Sequence, residues 1–165
     1  MMKVSIITVC YNSASTIRET IESILSQDYP NIEYIVVDGL SKDGTQSIVE
    51  SYGNRINRFV SEKDKGLYDA MNKGIDMATG DIIGILNSDD LYVDNKVISK
   101  VVDAFVTHNT GVVYGDLYYF RTGSPGKVRR IYKGKEFTLR RAKFGLMPPH
   151  PTFFVKKEVY QKHGK

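Results

Sequence analysis

The chain has 165 residues, enough for one domain with a single core, and its 41% hydrophobic and 25% charged content is that of an ordinary globular protein rather than a disordered or fibrous one. A lone cysteine, Cys10, excludes an internal disulfide framework and fits a reducing compartment. No apolar stretch reaches membrane-spanning length, and the opening residues do not read as a signal peptide. The net charge of +4 is unevenly spread: ten Lys and Arg stand against seventeen Asp and Glu up to Phe120, and thirteen against two from Arg121 onward. An acidic first part suits metal binding and a basic last part suits phosphates or lipid headgroups, the plain alternative being a solvated basic face.

In chain order, residues 3–9 (KVSIITV) are mostly β-branched and predict a first strand, followed by a turn at Tyr11-Asn12-Ser13. A helix is expected over about 15–27, because Ile17, Ile21, Ile24 and Leu25 fall at i, i+4, i+7 and i+8 and make one stripe for a sheet. Asp28-Tyr29-Pro30-Asn31 stops it, and a second strand over 33–37 delivers Asp38 at its tip. Asp43 is positioned to cap a helix running to about Tyr52, with Gly53 as its stop. A third strand over 56–61, a charged loop over 62–66 and a helix over 67–78 closed by Gly80 lead to the apolar run Ile82-Ile83-Gly84-Ile85-Leu86. That run is long enough for a strand buried on both faces, and a helix over about 94–108 follows it. Four such alternations predict βαβ crossovers and an α/β fold: an open, mostly parallel sheet with helices on both faces. Ligands of such sheets bind outside the carboxyl ends of the strands, at the switch point.

After residue 108 the rhythm changes. Strands are expected over 111–114, 117–121 and 128–133, the last two joined through Thr122-Gly123-Ser124-Pro125-Gly126, which is hairpin chemistry and predicts antiparallel additions. Pro148-Pro149-His150-Pro151 reads as a rigid connector, 152–155 as one more strand and 157–162 as a short helix.

Each polar cluster of the first part follows a strand, so Tyr11-Asn12, Asp38, residues 62–65 and Asn87-Ser88-Asp89-Asp90 should converge on one crevice. Adjacent carboxylates repel and are costly near a core without a cation or donors. All-oxygen ligands favour a hard ion such as Mg²⁺ or Mn²⁺ over zinc. A water-facing helix cap is the plain alternative for Asp89 and Asp90, and the convergence favours ligation. The first turn lacks the glycines of a dinucleotide site and no Walker lysine loop is present, which argues against hydride transfer. A phosphoacceptor receiver domain would leave the second acidic pair and the hairpin region without a role.

Thr8-Val9-Cys10-Tyr11-Asn12, Val37-Asp38-Gly39-Leu40-Ser41-Lys42-Asp43-Gly44-Thr45, the Gly66…Asp69-Ala70…Asn72…Gly74…Ala78…Gly80 stretch and Leu86-Asn87-Ser88-Asp89-Asp90 stand in the order and spacing of family 2 glycosyltransferases. The resemblance covers the first two-thirds of the chain strongly and Pro149-His150-Pro151 more weakly. It implies the GT-A fold, a Rossmann-like open sheet, and inverting transfer of a sugar from a nucleotide diphosphate. It also implies a single domain over 1–165, with a donor-binding half over 1–110 and the start of an acceptor half over 111–165.

Site roles follow from the same resemblance. Thr8, Tyr11, Asn12, Asp38, Lys65 and Asp89 would bind donor, with Tyr11 against the base and Asp38 accepting from base or ribose. Their plain alternatives are a half-buried core tyrosine, a loop-bracing aspartate and a solvated lysine. Asp90, with Asp89, would hold a Mg or Mn ion, and His150 between its prolines is a candidate acceptor-site residue. Cys10 reads as small packing.

The sequence departs from the family at two points. Many members carry a second Asp where this chain has Gly39, and no downstream carboxylate fits the general base, since Glu158 lies on an apparent surface helix. The base is therefore expected beyond Lys165, in a chain shortened at its C-terminus. The expected donor is a UDP-sugar, with GDP or dTDP as alternatives, and the acceptor a glycan or lipid-linked glycan in cell-surface polysaccharide synthesis. The expected location is cytoplasmic, with peripheral contact at the inner membrane face and no nucleic-acid partner. A non-catalytic module binding nucleotide sugar or an anionic surface is the alternative function.

Overall fold

The computed structural model describes every residue except 122, 123, 135, 136 and 146, and every side chain except those and 124–126 and 139. Thr122 and Gly123 of the expected hairpin turn thus lie outside the described residues. The elements run β1 (Val4–Cys10), α1 (Ile17–Leu25), β2 (Ile32–Asp38), α2 (Thr45–Glu50), β3 (Arg58–Ser61), α3 (Leu67–Met77), β4 (Ile82–Ile85) and α4 (Val97–His108). Then follow β5 (Val112–Tyr114), β6 (Leu117–Arg121), β7 (Ser124–Tyr132), α5 (Leu139–Ala142), β8 (Phe153–Lys156) and α6 (Lys157–His163).

The main sheet has the order β3-β2-β1-β4-β8-β5, and β6 and β7 form a separate antiparallel pair. β1 to β4 are mutually parallel, while β8 runs antiparallel to both β4 and β5. The chain steps outward from β1 to β3 and then crosses back to place β4 on the other side of β1. The switch point therefore lies between β1 and β4.

Alternation along the strands builds two cores. On one face Val4, Ile6, Cys10, Tyr34, Val36 and Ile82 meet Ile17, Ile21 and Ile24 of α1, Val49 of α2 and Ile98, Val102 and Phe105 of α4. On the other, Ile7, Val9, Ile35, Val37, Ile83 and Ile85 meet Ala70, Met71 and Ile75 of α3. The result is a sheet between two helical layers. Two glycines set close approaches within it. A Cβ on Gly74 would run into Ile7, so α3 lies directly on β1, and a Cβ on Gly84 would stand 2.5 Å from the Phe154 ring.

Several boundaries differ from the sequence reading, for local reasons. α1 starts at Ile17 because Ser13 O accepts from Thr16 N and Ile17 N in a preceding turn. α4 starts at Val97 because Asp94 Oδ1 takes the Lys96 N–H at 2.8 Å and holds a turn. β3 starts at Arg58 because Asn57 pairs with Tyr34 through its side-chain oxygen and its N–H. α2 stops at Glu50 and passes into a 3-10 turn, Gly53–Arg55. Another 3-10 turn, His150–Thr152, ends the proline-rich connector. β7 extends back to Ser124, and α5 is an unforeseen element. β8 wedges between β4 and β5, so strands from beyond residue 110 complete the sheet of the first half.

Candidate donor site at the switch point

Strands β1, β2 and β3 end level with one another, Cys10 beside Asp38 and Asp38 beside Ser61, and the loops that follow are stitched together. Gly39 N donates to Cys10 O at 2.9 Å and Glu62 N to Asp38 O at 3.0 Å, joining the first, second and third loops. Asn12 N donates to Ser41 Oγ at 2.8 Å, and Lys42 N returns a bond to Asn12 Oδ1 at 2.9 Å. Asn12 can close this double bridge because it takes a left-handed φ of 50°, which asparagine tolerates. Ser13 N reaches Thr45 Oγ1, and its hydroxyl pairs with Ser88 Oγ, both at 2.8 Å, linking the first loop to the second and to the loop after β4. The crevice expected at the carboxyl ends of the strands is thus a braced structure.

Asp43 belongs to the bracing. It does not occupy the cap position of α2, which falls to Gly44 with a φ of 97°. Its Oδ2 accepts from Ala14 N at 2.9 Å, and its Oδ1 accepts from Thr45 N at 3.0 Å and Thr45 Oγ1 at 2.5 Å.

Two of the residues expected to touch donor are turned inward. Thr8 is fully buried, and its hydroxyl accepts from Tyr34 OH at 3.1 Å. Asp38 is fully buried as well. Its Oδ2 accepts from Ser41 N at 2.9 Å and Ser61 Oγ at 2.6 Å, and its Oδ1 from Ser41 Oγ. A carboxylate so engaged braces the loop. Cys10 is internal too; burial first, and the Asp38 charge second, push its thiol pKa up, so it is no nucleophile.

Other expected residues are exposed or half-buried on the loops at the carboxyl ends of the strands. The Tyr11 ring is 64% exposed at the tip of β1, whereas Cys10 beside it is buried. Asn12 and Lys65 are exposed on the same rim. Asp89 is exposed and Asp90 half-buried, with Asn87 Nδ2 donating to Asp90 Oδ2 at 3.1 Å. Burial, then the Asp89 charge, raise the Asp90 carboxyl pKa against that bond. The amide oxygen of Asn87 is buried without a partner among the described residues. A cavity of about 270 Å³ opens beside the pair, walled by Thr16, Glu19, Leu91 and Tyr118 to Phe120 of β6.

Two carboxylates, one of them disfavoured as an anion, and an orphaned amide oxygen next to it form a donor set that fits a hard divalent cation. No group of three or more His, Cys, Asp or Glu gathers as a metal cage among the described residues, so further ligands would come from substrate or water. His150 is exposed just before β8; because β8 is antiparallel to β4, it lies at the carboxyl end of the sheet. Glu158 is at the opposite pole, beside a hollow of about 580 Å³ shared with Met1, Gly80 and Asp81, which removes it from the candidate site.

Sequence reasoning did not point to Ser13, Ser41, Ser61 and Ser88 as the loop fasteners, to Asp64 beside Tyr11, or to β6 as a wall. The shared signal was hydroxyl residues after each strand.

The profile of Glycosyl transferase family 2 matches residues 5–164. An uncharacterised glycosyltransferase of Rickettsia typhi is 47% identical over 98 residues, 59% of this chain and 30% of the relative. The putative teichuronic acid biosynthesis glycosyltransferase TuaG of Bacillus subtilis is 37% identical over 97 residues, 57% of this chain and 38% of TuaG. Among solved structures, S. aureus TarS 1–349 in complex with UDP-GlcNAc superposes with a TM-score of 0.79 at 25% identity, over 98% of this chain and 47% of that one. This chain therefore spans between about a third and a half of these proteins. The family match covers all but the ends of the chain, and with the GT-A arrangement of strands and loops it settles membership: this protein belongs to glycosyl transferase family 2.

Proposed function

We propose that the crevice binds a nucleotide-diphospho-sugar and that the protein transfers its sugar, with inversion, to a glycan or lipid-linked acceptor in cell-surface polysaccharide synthesis. The observation that carries this reading is that the loop after β1, with the exposed Tyr11, is bonded through Ser13 and Ser88 to the loop after β4 that carries Asp89 and Asp90, at the β1/β4 switch point. The UDP-GlcNAc bound by TarS and the teichuronic acid assignment of TuaG support it.

In this reading the base stacks on Tyr11, and Asp38 acts at one remove, holding the loop through Ser41 and Ser61. Asn12 and Ser13 keep the first loop at its distance from the Asp pair. Lys65 adds positive charge on the phosphate side of the rim. Asp90, with Asp89 beside it, would hold a Mg or Mn ion, which when bound would supply positive charge for the departing nucleotide diphosphate. The acceptor hydroxyl attacks the anomeric carbon in line as the bond to phosphate breaks, and its proton passes to a general base. Calorimetric titration with UDP tests the site. Tyr11→Ala is expected to weaken binding roughly tenfold, the worth of a stacked aromatic face, and unchanged affinity would remove Tyr11 from it.

A membrane-surface role rests on a separate observation. Tyr118, Tyr119, Val128 and Ile131 are exposed on the β6–β7 pair, Phe144 and Met147 are exposed nearby in sequence, and Lys127, Arg129, Arg130 and Lys133 are interleaved with them. Aromatic and basic side chains on one ribbon suit an anionic lipid surface carrying the acceptor. No helix among the described residues is long and apolar enough to cross a membrane. Sedimentation with anionic vesicles at low salt, and release at high salt, is the expected result. Sedimentation indifferent to lipid charge would remove the idea.

A further inference from the structure

The loop that carries Lys65 is tied down by a side chain further along α3. Lys73 lies within that helix with its side chain 28% exposed. Its Nζ stands 2.8 Å from Glu62 Oε1, donates to Lys63 O at 3.1 Å and lies 3.4 Å from Asp69 Oδ2. An ammonium has three donors, and each of them has an acceptor here. Asp69 Oδ2 also accepts from Lys65 N at 3.1 Å, and Glu62 N donates to Asp38 O at 3.0 Å. Lys73 thus reaches the loop over 62–66 directly at Glu62 and Lys63, and at Lys65 through Asp69. A single ion pair with this exposure would contribute little. A cation shared by one carbonyl and two carboxylates clamps the backbone of the loop at both its ends. Lys65 is exposed at the clamped end.

We propose that Lys73 is a positioning residue of the donor site, holding the loop after β3 so that the Lys65 ammonium stands on the phosphate side of the rim. This rests on the donor-site reading above and adds a residue outside the crevice on which that charge depends. Lysine carries a compact, strongly hydrated charge on a flexible four-carbon stem. On a loop that also moves, such a charge is spread over a wide volume and binds a diphosphate weakly. With the Lys65 N–H fixed by Asp69, only the side-chain rotamers remain to be ordered when the ammonium meets phosphate. The loss on removing Lys73 should therefore fall on the diphosphate contact more than on the rest of the nucleotide.

The test is calorimetric titration of UDP and UMP, with Mn²⁺ present, into the wild type, Lys73→Met, Lys65→Met, the double variant and Glu62→Met, with thermal midpoints recorded for each. Lys73→Met is expected to weaken UDP roughly threefold to fivefold, and UMP less, the worth of one partly exposed ionic contact. In the Lys65→Met background the same substitution should weaken UDP no further, because a residue that acts through another is silent once that other is gone. Glu62→Met should weaken UDP as Lys73→Met does, although it removes a negative charge. Were Lys73 only part of the general positive field, Glu62→Met would tighten UDP instead. Additive losses in the double variant, or unchanged or tighter binding of UDP by Glu62→Met, would overturn the positioning role and leave the donor site standing. Unchanged UDP affinity in Lys65→Met would overturn it too, by removing the contact through which it acts. Failure of the wild type to bind UDP would overturn the donor-site reading as well. Should Lys73→Met fail to fold, the sign of the Glu62→Met effect decides.

Discussion

The Asp89→Ala/Asp90→Ala double variant is expected to lose metal-dependent binding of UDP, by roughly a hundredfold or more, while staying folded. The asymmetry between binding and stability follows from the electrostatics. Asp90 is half-buried, and burial together with the neighbouring Asp89 charge disfavours its ionised form. Without a cation the pair repels itself, and among the described residues its removal forfeits only the Asn87 hydrogen bond. With a cation, both carboxylates become attractive partners and the penalty is relieved. The same reasoning sets the pH dependence. Because the Asp90 pKa is raised, metal-assisted binding should fail on acidification at a higher pH than an ordinary aspartate would dictate. Titration of UDP with Mn²⁺ present and absent, at neutral and mildly acid pH, measures both effects. Equal binding by the variant would mean that the pair only closes the loop after β4.

The largest expected effect on stability lies at the other pole of the sheet. Glu33 Oε2 accepts from Ser5 Oγ at 2.5 Å and Thr79 N at 2.7 Å, and its Oε1 from Thr79 Oγ1 at 2.6 Å and Lys3 Nζ at 3.0 Å. Ser5 Oγ in turn accepts from Gly80 N at 2.9 Å. This one carboxylate ties β1, β2 and the end of α3 together with its side chain only 5% exposed. Glu33→Ala should cost about 3–5 kcal/mol in urea denaturation at neutral pH, because it strands several buried donors at once.

Burial alone would raise the Glu33 pKa, but the bonds from Ser5, Thr79 and Lys3 outweigh it and hold it at about 2. A depressed folded-state pKa contributes stability that is present above the unfolded value of 4.5 and is lost as pH falls towards 2. The gap between wild type and Glu33→Ala should therefore narrow across that window. A gap constant with pH would show that the network is held by packing rather than by charge.

The β-branched runs and the Ile17, Ile21 and Ile24 stripe made the first four strands and their helices legible in sequence, because there the periodicity of burial coincides with the local structure. β8 was readable as a strand, but not its place between β4 and β5, since pairing across so many residues leaves no local mark. Helix starts at Ile17 and Val97 were displaced by local turns, the first bonded through the Ser13 backbone carbonyl and the second through the Asp94 side chain. At the candidate site, Tyr11 is exposed at the tip of β1, and Asp89 and Asp90 line the hollow after β4. Thr8 and Asp38 sit in the same motifs but point inward, because a motif records order along the chain and not which side chain the next loop engages. Asp64 stands beside Tyr11 only through the packing of two loops at Gly39, a relation that no spacing encodes.

The claim that the nucleotide lies at the carboxyl ends of the strands is tested most directly by amide shift mapping with UDP and Mg²⁺, since the molecule has open hollows at both poles of its sheet. Perturbations gathered on Tyr11, Asn12, Gly39, Gly66, Asp89 and Asp90 are the expected result. Perturbations gathered on Met2, Thr79, Gly80 and Lys157 would put the ligand at the opposite pole and contradict the account.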